Sequence, residues 1–582
     1  MSPAKPKTAA KAKGKTAKLT KPKKGKAKQP KGQEELVFLP LGGAGEIGMN
    51  LNLYGYGPPG NERWIMVDLG VSFGDGWPPG VDVVMADPTF IEERRDQLDG
   101  IILTHAHEDH LGAVQYLWDR FECPVYATPF TANILRRKLE EPGWQDEVEV
   151  NVIPLEGAFK IGPFELELVT LTHSIPEPNA VVIRTPLGAV LHTGDWKFDP
   201  DPVIGDVADQ RALRQLGDDG VLALVCDSTN VFQPGTSGSE GDLLDGLTEA
   251  IAKCHGRVAV ACFATNVARL ETIARAAAET GRQVALTGRS LWRIEKAARE
   301  SGYLASTPPF LREEEVNTLP DDKALIICTG SQGEPRAALA RIAQGDHPRL
   351  DLGPGDTVIF SSREIPGNET AIARVQNDLV SRGVRVVTSS DALVHVSGHP
   401  NRDELAHMYQ LVRPKIAVPV HGELRHMDEH ARLAKECQVE QAILTPNGQM
   451  ARLAPGRAEI IDHVPTGRLA LVGGRLVPID GELIRERIQS VWHGVVTVTI
   501  AVDGGGLIDD PQITTLGVSE NEARDPVVDE ARDAAANAVK ALPPRKFADD
   551  DEVREAVRLA VRRTFRRHLD MKPVTTVHLV RI

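Results

Sequence analysis

The sequence predicts a multidomain chain of mixed α/β and α+β class: a β-rich α/β body, a doubly wound α/β unit inserted into it, and a small α+β domain at the C-terminal end. Three observations carry that expectation. At 582 residues the chain is too long for one core and should hold two to four domains. Histidines and aspartates recur at the ends of short apolar runs, first in Thr104-His105-Ala106-His107-Glu108-Asp109-His110 directly after Gly100-Ile101-Ile102-Leu103. From about Val221 to Cys328, apolar strands alternate with helical stretches of ten or more residues, the rhythm of a parallel sheet.

The chain opens on a basic arm. Residues 1 to 33 hold twelve Lys and no Asp or Glu, so the formal net charge of −14 conceals a body with 55 basic against 81 acidic residues. A Lys/Ala/Pro/Gly segment cannot bury a core, and disorder is expected over residues 1–34. Its charge suits nucleic-acid phosphates, although a solubilising tail would read the same. No apolar run approaches the roughly 18 residues of a membrane span, and no apolar signal core follows the start. A cytoplasmic protein with no membrane partner is expected. The six cysteines contain no Cys-x-x-Cys pair, which disfavours a disulfide framework and a cysteine zinc site.

The first strand, from Glu35, runs into Gly42-Gly43-Ala44-Gly45-Glu46-Ile47-Gly48. This contains a G-x-G-x-x-G pattern, but the following Met49 to Tyr54 alternates like a strand and opens no helix, so a tight turn is the better reading than a pyrophosphate cradle. The strand Trp64 to Leu69 carries Asp68, placed to orient a metal ligand from behind. In the 105–110 loop four metal-competent side chains fall within six residues, at spacings that cannot share one helix face. They must converge beyond the strand end, as in an open, catalytic type of metal site. Leu111 to Trp118 has helical spacing and Val125 begins another strand. Glu165 to Thr172 alternates and delivers His173, and Ala189 to His192 runs into Thr193-Gly194-Asp195.

The rhythm changes at strand Val221 to Cys226, which ends on Asp227, and the inserted unit begins there. Helix 241–254, strand Arg257 to Phe263, helix Val267 to Glu279, strand Gln283 to Leu286, helix Leu291 to Glu300 and strand Ala324 to Cys328 follow. Its strand ends carry Thr265-Asn266, Thr329 to Gly333 and Ser361-Ser362-Arg363, small polar loops able to offer donors to an anion. Next come His395-Val396-Ser397-Gly398-His399, a helix around Glu404 to Val412, and strand Ile416 to Val420, which delivers His421. Residues 466–490 are weakly periodic and read as a connector. Strand Val495 to Val502, helix Asp550 to His568 and strand Thr575 to Val580 make the last domain. Its Arg562 to Arg567 run is a solvated face or a second basic contact.

The accumulated motifs resemble the metallo-β-lactamase fold and, within its nucleic-acid-processing β-CASP branch, the ribonuclease J family. They are Gly45-Glu46-Ile47-Gly48, the 104–110 loop, Thr172-His173-Ser174-Ile175-Pro176, His192-Thr193-Gly194-Asp195, Asp227-Ser228-Thr229-Asn230, Gly330-Ser331-Gln332-Gly333-Glu334 and Pro419-Val420-His421-Gly422-Glu423. The resemblance implies an αββα sandwich in two parts, 35–228 and 386–465, interrupted by a β-CASP domain at 229–385. A linker over 466–494 and a C-terminal domain over 495–582 would complete the chain. It also implies two Zn²⁺ ions per subunit, one on His105, His107 and His173, the other on Asp109, His110 and His421, with Asp195 bridging. Ions about 3.5–4 Å apart can share a hydroxide and neutralise charge growing on a phosphodiester.

The family further nominates Asp227 and His399 for proton transfer, without deciding which donates. It nominates Thr265, Asn266, Val267 and the 395–399 loop as a nucleotide-phosphate pocket. Such a pocket would make the chain a 5′-to-3′ exonuclease on 5′-monophosphorylated RNA and an endonuclease where entry is internal, acting in RNA maturation and decay as a homodimer or homotetramer. A structural calcium would use Gly80-Val81-Asp82 and a later aspartate, but Arg468 to Pro478 holds no acidic residue, so calcium is left open. The alternatives are a purely endonucleolytic β-CASP enzyme, a small-ester metallohydrolase, which would not need the inserted unit, and a non-catalytic RNA-binding subunit, which would not need all seven ligand positions.

Overall fold

Two sheets packed face to face form the body. In the computed structural model, which describes residues 32–582 apart from 75, 366 and 521–524, the first sheet has eight strands. Their order is 459–463, 449–454, 35–42, 51–57, 63–67, 98–102, 125–127 and 150–152. The second has seven: 158–161, 164–170, 179–185, 188–192, 223–227, 416–420 and 441–442. Phe38, Tyr54, Ile65 and Val67 of the first interleave with Phe164, Leu166, Ile183 and Val418 of the second in one buried cluster. Each such side chain contributes about 1.5–3 kcal/mol on burial. Helices cover the outer faces. Gln210–Asp219, Arg402–Val412 and Leu424–Glu436 pack Leu213, Leu405 and Leu433 against the second sheet, which makes the αββα arrangement. The expected basic arm falls outside the described residues up to residue 31.

The inserted unit is a six-stranded, wholly parallel sheet in the order 311–312, 283–287, 324–328, 258–261, 357–360 and 385–387. Its central strands are buried on both sides, Val258 and Ile327 towards one set of helices and Ala259 and Ile326 towards the other, which is why they read as continuous apolar runs. The C-terminal domain centres on Val495–Asp503, paired antiparallel with Gln512–Leu516 and parallel with Val574–Arg581, under helices Pro526–Lys540 and Asp550–Leu569.

Two local expectations change. The helix read over 111–118 is two single turns, Glu108–Leu111 and Val114–Leu117, separated by Gly112, which packs against the Glu108 carbonyl and Val71 with no space for a side chain. The connector read over 466–494 carries structure: Arg468–Val472 and Arg475–Pro478 form a hairpin paired with Val83–Ala86, followed by helix Glu482–His493. The short, half-exposed hairpin strands show too few alternations to be recognised from periodicity. All six cysteines are free.

Candidate metal centre

Every side chain of the site leaves the carboxyl end of a strand. Asp68 follows Arg63–Val67, the 104–110 loop follows Leu98–Ile102, His173 follows Phe164–Thr170, Asp195 follows Gly188–His192, Asp227 ends Ala223–Asp227, and His421 follows Ile416–Val420. The strands ending at 192, 227 and 420 run parallel, so their ends share one edge of the sandwich, where open α/β sheets bind ligands. Asp68 and His421 are held at φ +65° and +50°, left-handed backbone that non-glycine residues adopt at a cost of order 1 kcal/mol. Gly398 is obligatory for a different reason: a Cβ there would lie 2.8 Å from the His173 ring.

Asp195 is the hub. Its Oδ2 lies 3.2 Å from His110 Nε2, 3.5 Å from His421 Nε2, 3.7 Å from His173 Nε2 and 4.0 Å from His105 Nε2. Two donor groups meet on it, His105, His107 and His173 on one side and Asp109, His110 and His421 on the other, with ligand atoms in each group within 4.8 Å of one another. The outward nitrogens are committed. His105 Nδ1 is 3.0 Å from Thr104 Oγ1, His173 Nδ1 donates to the Gly398 carbonyl at 2.5 Å, His110 Nδ1 donates to Asp68 Oδ2 at 2.7 Å, and His421 Nδ1 donates to Asn50 Oδ1 at 3.0 Å. The inward ones crowd together, His105 Nε2 and His173 Nε2 at 3.0 and 3.1 Å from His107 Nδ1.

Burial holds His105 and His173 well below the usual imidazole range and His107 down at about 4, the neutral form that binds metals. Burial also opposes charge on His110, but Asp195, Asp109 and Asp68 outweigh it and push its pKa up. The Asp195 Oδ1 atom is buried with no hydrogen-bond partner among the described residues. Converging imidazoles, those of His105, His107 and His173 held neutral by burial, with an orphaned carboxylate oxygen at the hub fit divalent, nitrogen-preferring metal ions.

Beside this cluster, His399 Nδ1 donates to Asp227 Oδ2 at 2.8 Å. Burial lowers the His399 pKa, yet Asp227 and Asp195 more than offset it and hold it up at about 9. Asp227 Oδ1 accepts from the amide and hydroxyl of Thr229 at 2.8 and 2.7 Å, so its oxygens are taken. The 395–399 loop is anchored by Asn230, whose Nδ2 donates to Ser397 Oγ at 2.7 Å and to the His399 carbonyl at 3.2 Å. Asn266 caps helix Val267–Glu279 through its Oδ1, and its Nδ2 has no acceptor among the described residues; Val267 is buried and Thr265 half-buried beside it. Of the residues nominated for calcium, Asp82 pairs with Arg336, and the Gly80 carbonyl accepts from Arg487 at 3.4 Å.

Sequence reasoning missed three residues. Asn50 lies between the two halves of the second donor group, its Nδ2 3.2 Å from His110 Nε2 and its Oδ1 on His421. Thr104 ties His105 to Asp68. Arg269, on a helix that looks amphipathic, is wholly buried and paired with Glu240 at 2.9 Å. Only the position of Asn50, directly after the glycine-rich turn, could have hinted at a role.

Comparison with known proteins places this geometry in context. Models of four protein families match: the metallo-beta-lactamase superfamily over residues 55–243, the ribonuclease J beta-CASP domain over 255–379, the Zn-dependent metallo-hydrolase RNA specificity domain over 383–443 and the ribonuclease J C-terminal domain over 482–582. A ribonuclease J of Sinorhizobium meliloti is 46% identical over 94% of this chain and 98% of its own. Those of Mycolicibacterium smegmatis and Thermus thermophilus are 38% and 35% identical, over 90% and 87% of this chain and 93% and 89% of theirs.

Proposed function

Since this chain belongs to the ribonuclease J family and is a ribonuclease built on the metallo-β-lactamase fold, we propose that it is a zinc-dependent enzyme with 5′-to-3′ exonuclease and endonuclease activity in cytoplasmic RNA maturation and decay. The observation that carries this reading is the Asp227–His399 pair standing against the Asp195-centred cluster, a proton-transfer unit beside a place for two cations. His105, His107 and His173 would hold one ion, Asp109, His110 and His421 the other, with Asp195 between them. Bound there, two zinc ions would activate water and neutralise charge developing on the phosphodiester.

The chain's own groups do the rest. His399 is the better proton donor of the pair: its side chain is 24% exposed, whereas that of Asp227 is fully buried with its oxygens occupied. Asp227 therefore fixes the ring through Nδ1, leaving the Nε2 proton for the departing 3′-oxygen. Asp68 and Thr104 hold the 105–110 loop in register. The Ser397 hydroxyl, the 395–399 backbone and the Asn266 amide are suited to hold a terminal phosphate. The division at 35–228, 229–385, 386–465, 466–494 and 495–582 and a homodimeric or homotetrameric assembly belong to the same proposal.

The test uses one RNA sequence bearing either a 5′-monophosphate or a 5′-triphosphate, labelled at the 3′ end. Stepwise shortening from the 5′ end of the monophosphate form, with internal cuts on the triphosphate form, is expected; internal cuts alone on both would refute the exonuclease. Chelation, or Asp109→Ala, should abolish both modes with the fold retained, and full activity in a metal-free preparation would refute the metal dependence.

A further inference from the structure

The 395–399 loop has donors but little positive charge of its own. A terminal phosphate carries about −1.5 to −2 near neutrality, which neutral donors alone leave uncompensated. Lys197 is buried and paired with Asp199 at 2.7 Å, and two further basic groups near the loop do not supply the difference either. Arg269 is buried and its charge is taken up by Glu240, while its Nη1 donates to the carbonyl and hydroxyl of Ser361 at 2.8 and 2.7 Å and approaches His395 Nδ1 at 3.3 Å. A guanidinium facing Nδ1 leaves His395 as a neutral donor through Nε2, and burial together with Arg269 and Arg363 keeps its pKa well below the usual value.

Arg363 differs from all three. It follows strand Thr357–Phe360 at the carboxyl end, is exposed, and has no carboxylate partner among the described residues of a strongly acidic protein. Its Nη1 donates to Asn230 Oδ1 at 3.0 Å, and the same Asn230 holds Ser397 and the His399 carbonyl through Nδ2. The guanidinium is thus one side chain away from the loop, with its other N–H groups uncommitted among the described residues. It also borders an open recess of about 550 Å³ whose lining includes Ser331, Ser362 and Ser389 together with the carboxylates Glu364 and Glu369, so the guanidinium is accessible from solvent.

We infer that Arg363 is the cation of the phosphate pocket, tethered by Asn230 so that it gives a charge-assisted hydrogen bond to a 5′-monophosphate and sets the preference for that end. This rests on the reading of residues 395–399 as the phosphate pocket.

The experiment measures kcat and KM of the zinc-loaded full chain on one RNA with a 5′-monophosphate or a 5′-hydroxyl, for the parent, Arg363→Gln and Arg363→Lys. Glutamine keeps a donor for Asn230 and removes the charge; lysine restores the charge. Arg363→Gln should lower the monophosphate-to-hydroxyl ratio of kcat/KM by about 10- to 100-fold, mostly through KM, and Arg363→Lys should recover part of it. A ratio that Arg363→Gln leaves intact, or an equal loss on both RNAs, overturns the role of Arg363 while the pocket stands. A parent enzyme with no preference overturns the pocket and this inference with it.

Discussion

Replacing Asp68 with Asn isolates what lies behind the metal ligands. The side chain is fully buried; it accepts from the Thr104 amide at 2.8 Å, from the Thr104 hydroxyl at 2.9 Å, and from His110 Nδ1 at 2.7 Å. Asparagine keeps the volume but can set an NH₂ against His110 Nδ1–H. The ring then moves its proton to Nε2, the atom that faces Asp195 at 3.2 Å and would bind the ion. Losing one charge-assisted hydrogen bond costs about 1.5–3 kcal/mol, and loss of such a ligand-orienting partner lowers metal affinity about 10- to 100-fold. Zinc affinity would be read by competition with a chromophoric chelator, with thermal unfolding of the chelated protein as the control for fold. Parental zinc affinity in a folded Asp68→Asn protein would refute the reasoning, because the buried contacts would then have no bearing on the ligand they orient.

Three further outcomes are expected. His399→Ala should lower turnover about 10²- to 10⁴-fold while RNA affinity changes little; equal losses in both would assign it to binding. His430, bonded to Ser228 and Tyr409 and held at about 4 by burial, is neutral in the fold and gains a proton on unfolding below about 6.5. Its contribution is present above pH 6.5 and lost as pH falls towards 4, on the order of 3 kcal/mol, so in chelated protein His430→Gln should flatten the acid limb of stability against pH by up to one proton; an unchanged slope would refute it. Deleting residues 1–33 should weaken RNA binding and reduce its salt dependence, and an unaltered slope would show the arm to be inert.

The metal motifs were readable in the sequence because their chemistry restricts residue type and because strands end abruptly, so that four candidate ligands crowd into 105–110 and single ones follow recognisable apolar runs at His173, Asp195 and His421. The parallel unit was readable because strands buried on both faces are continuously apolar. Periodicity failed at 466–494, where short hairpin strands depend on pairing with Val83–Ala86 rather than on their own pattern.

By itself, then, the sequence determined the layers of the fold and the identities of the groups that could bind metal. The tertiary structure alone decided how those groups are held. Asn50 bridges His110 and His421, Asp68 reaches His110, and Arg269 buries its charge on Glu240, contacts that join distant stretches of chain and leave no local period. A buried arginine and an exposed one look alike on a sequence; only packing separates Arg269, whose charge is spent inside the protein on Glu240, from Arg363, which is exposed.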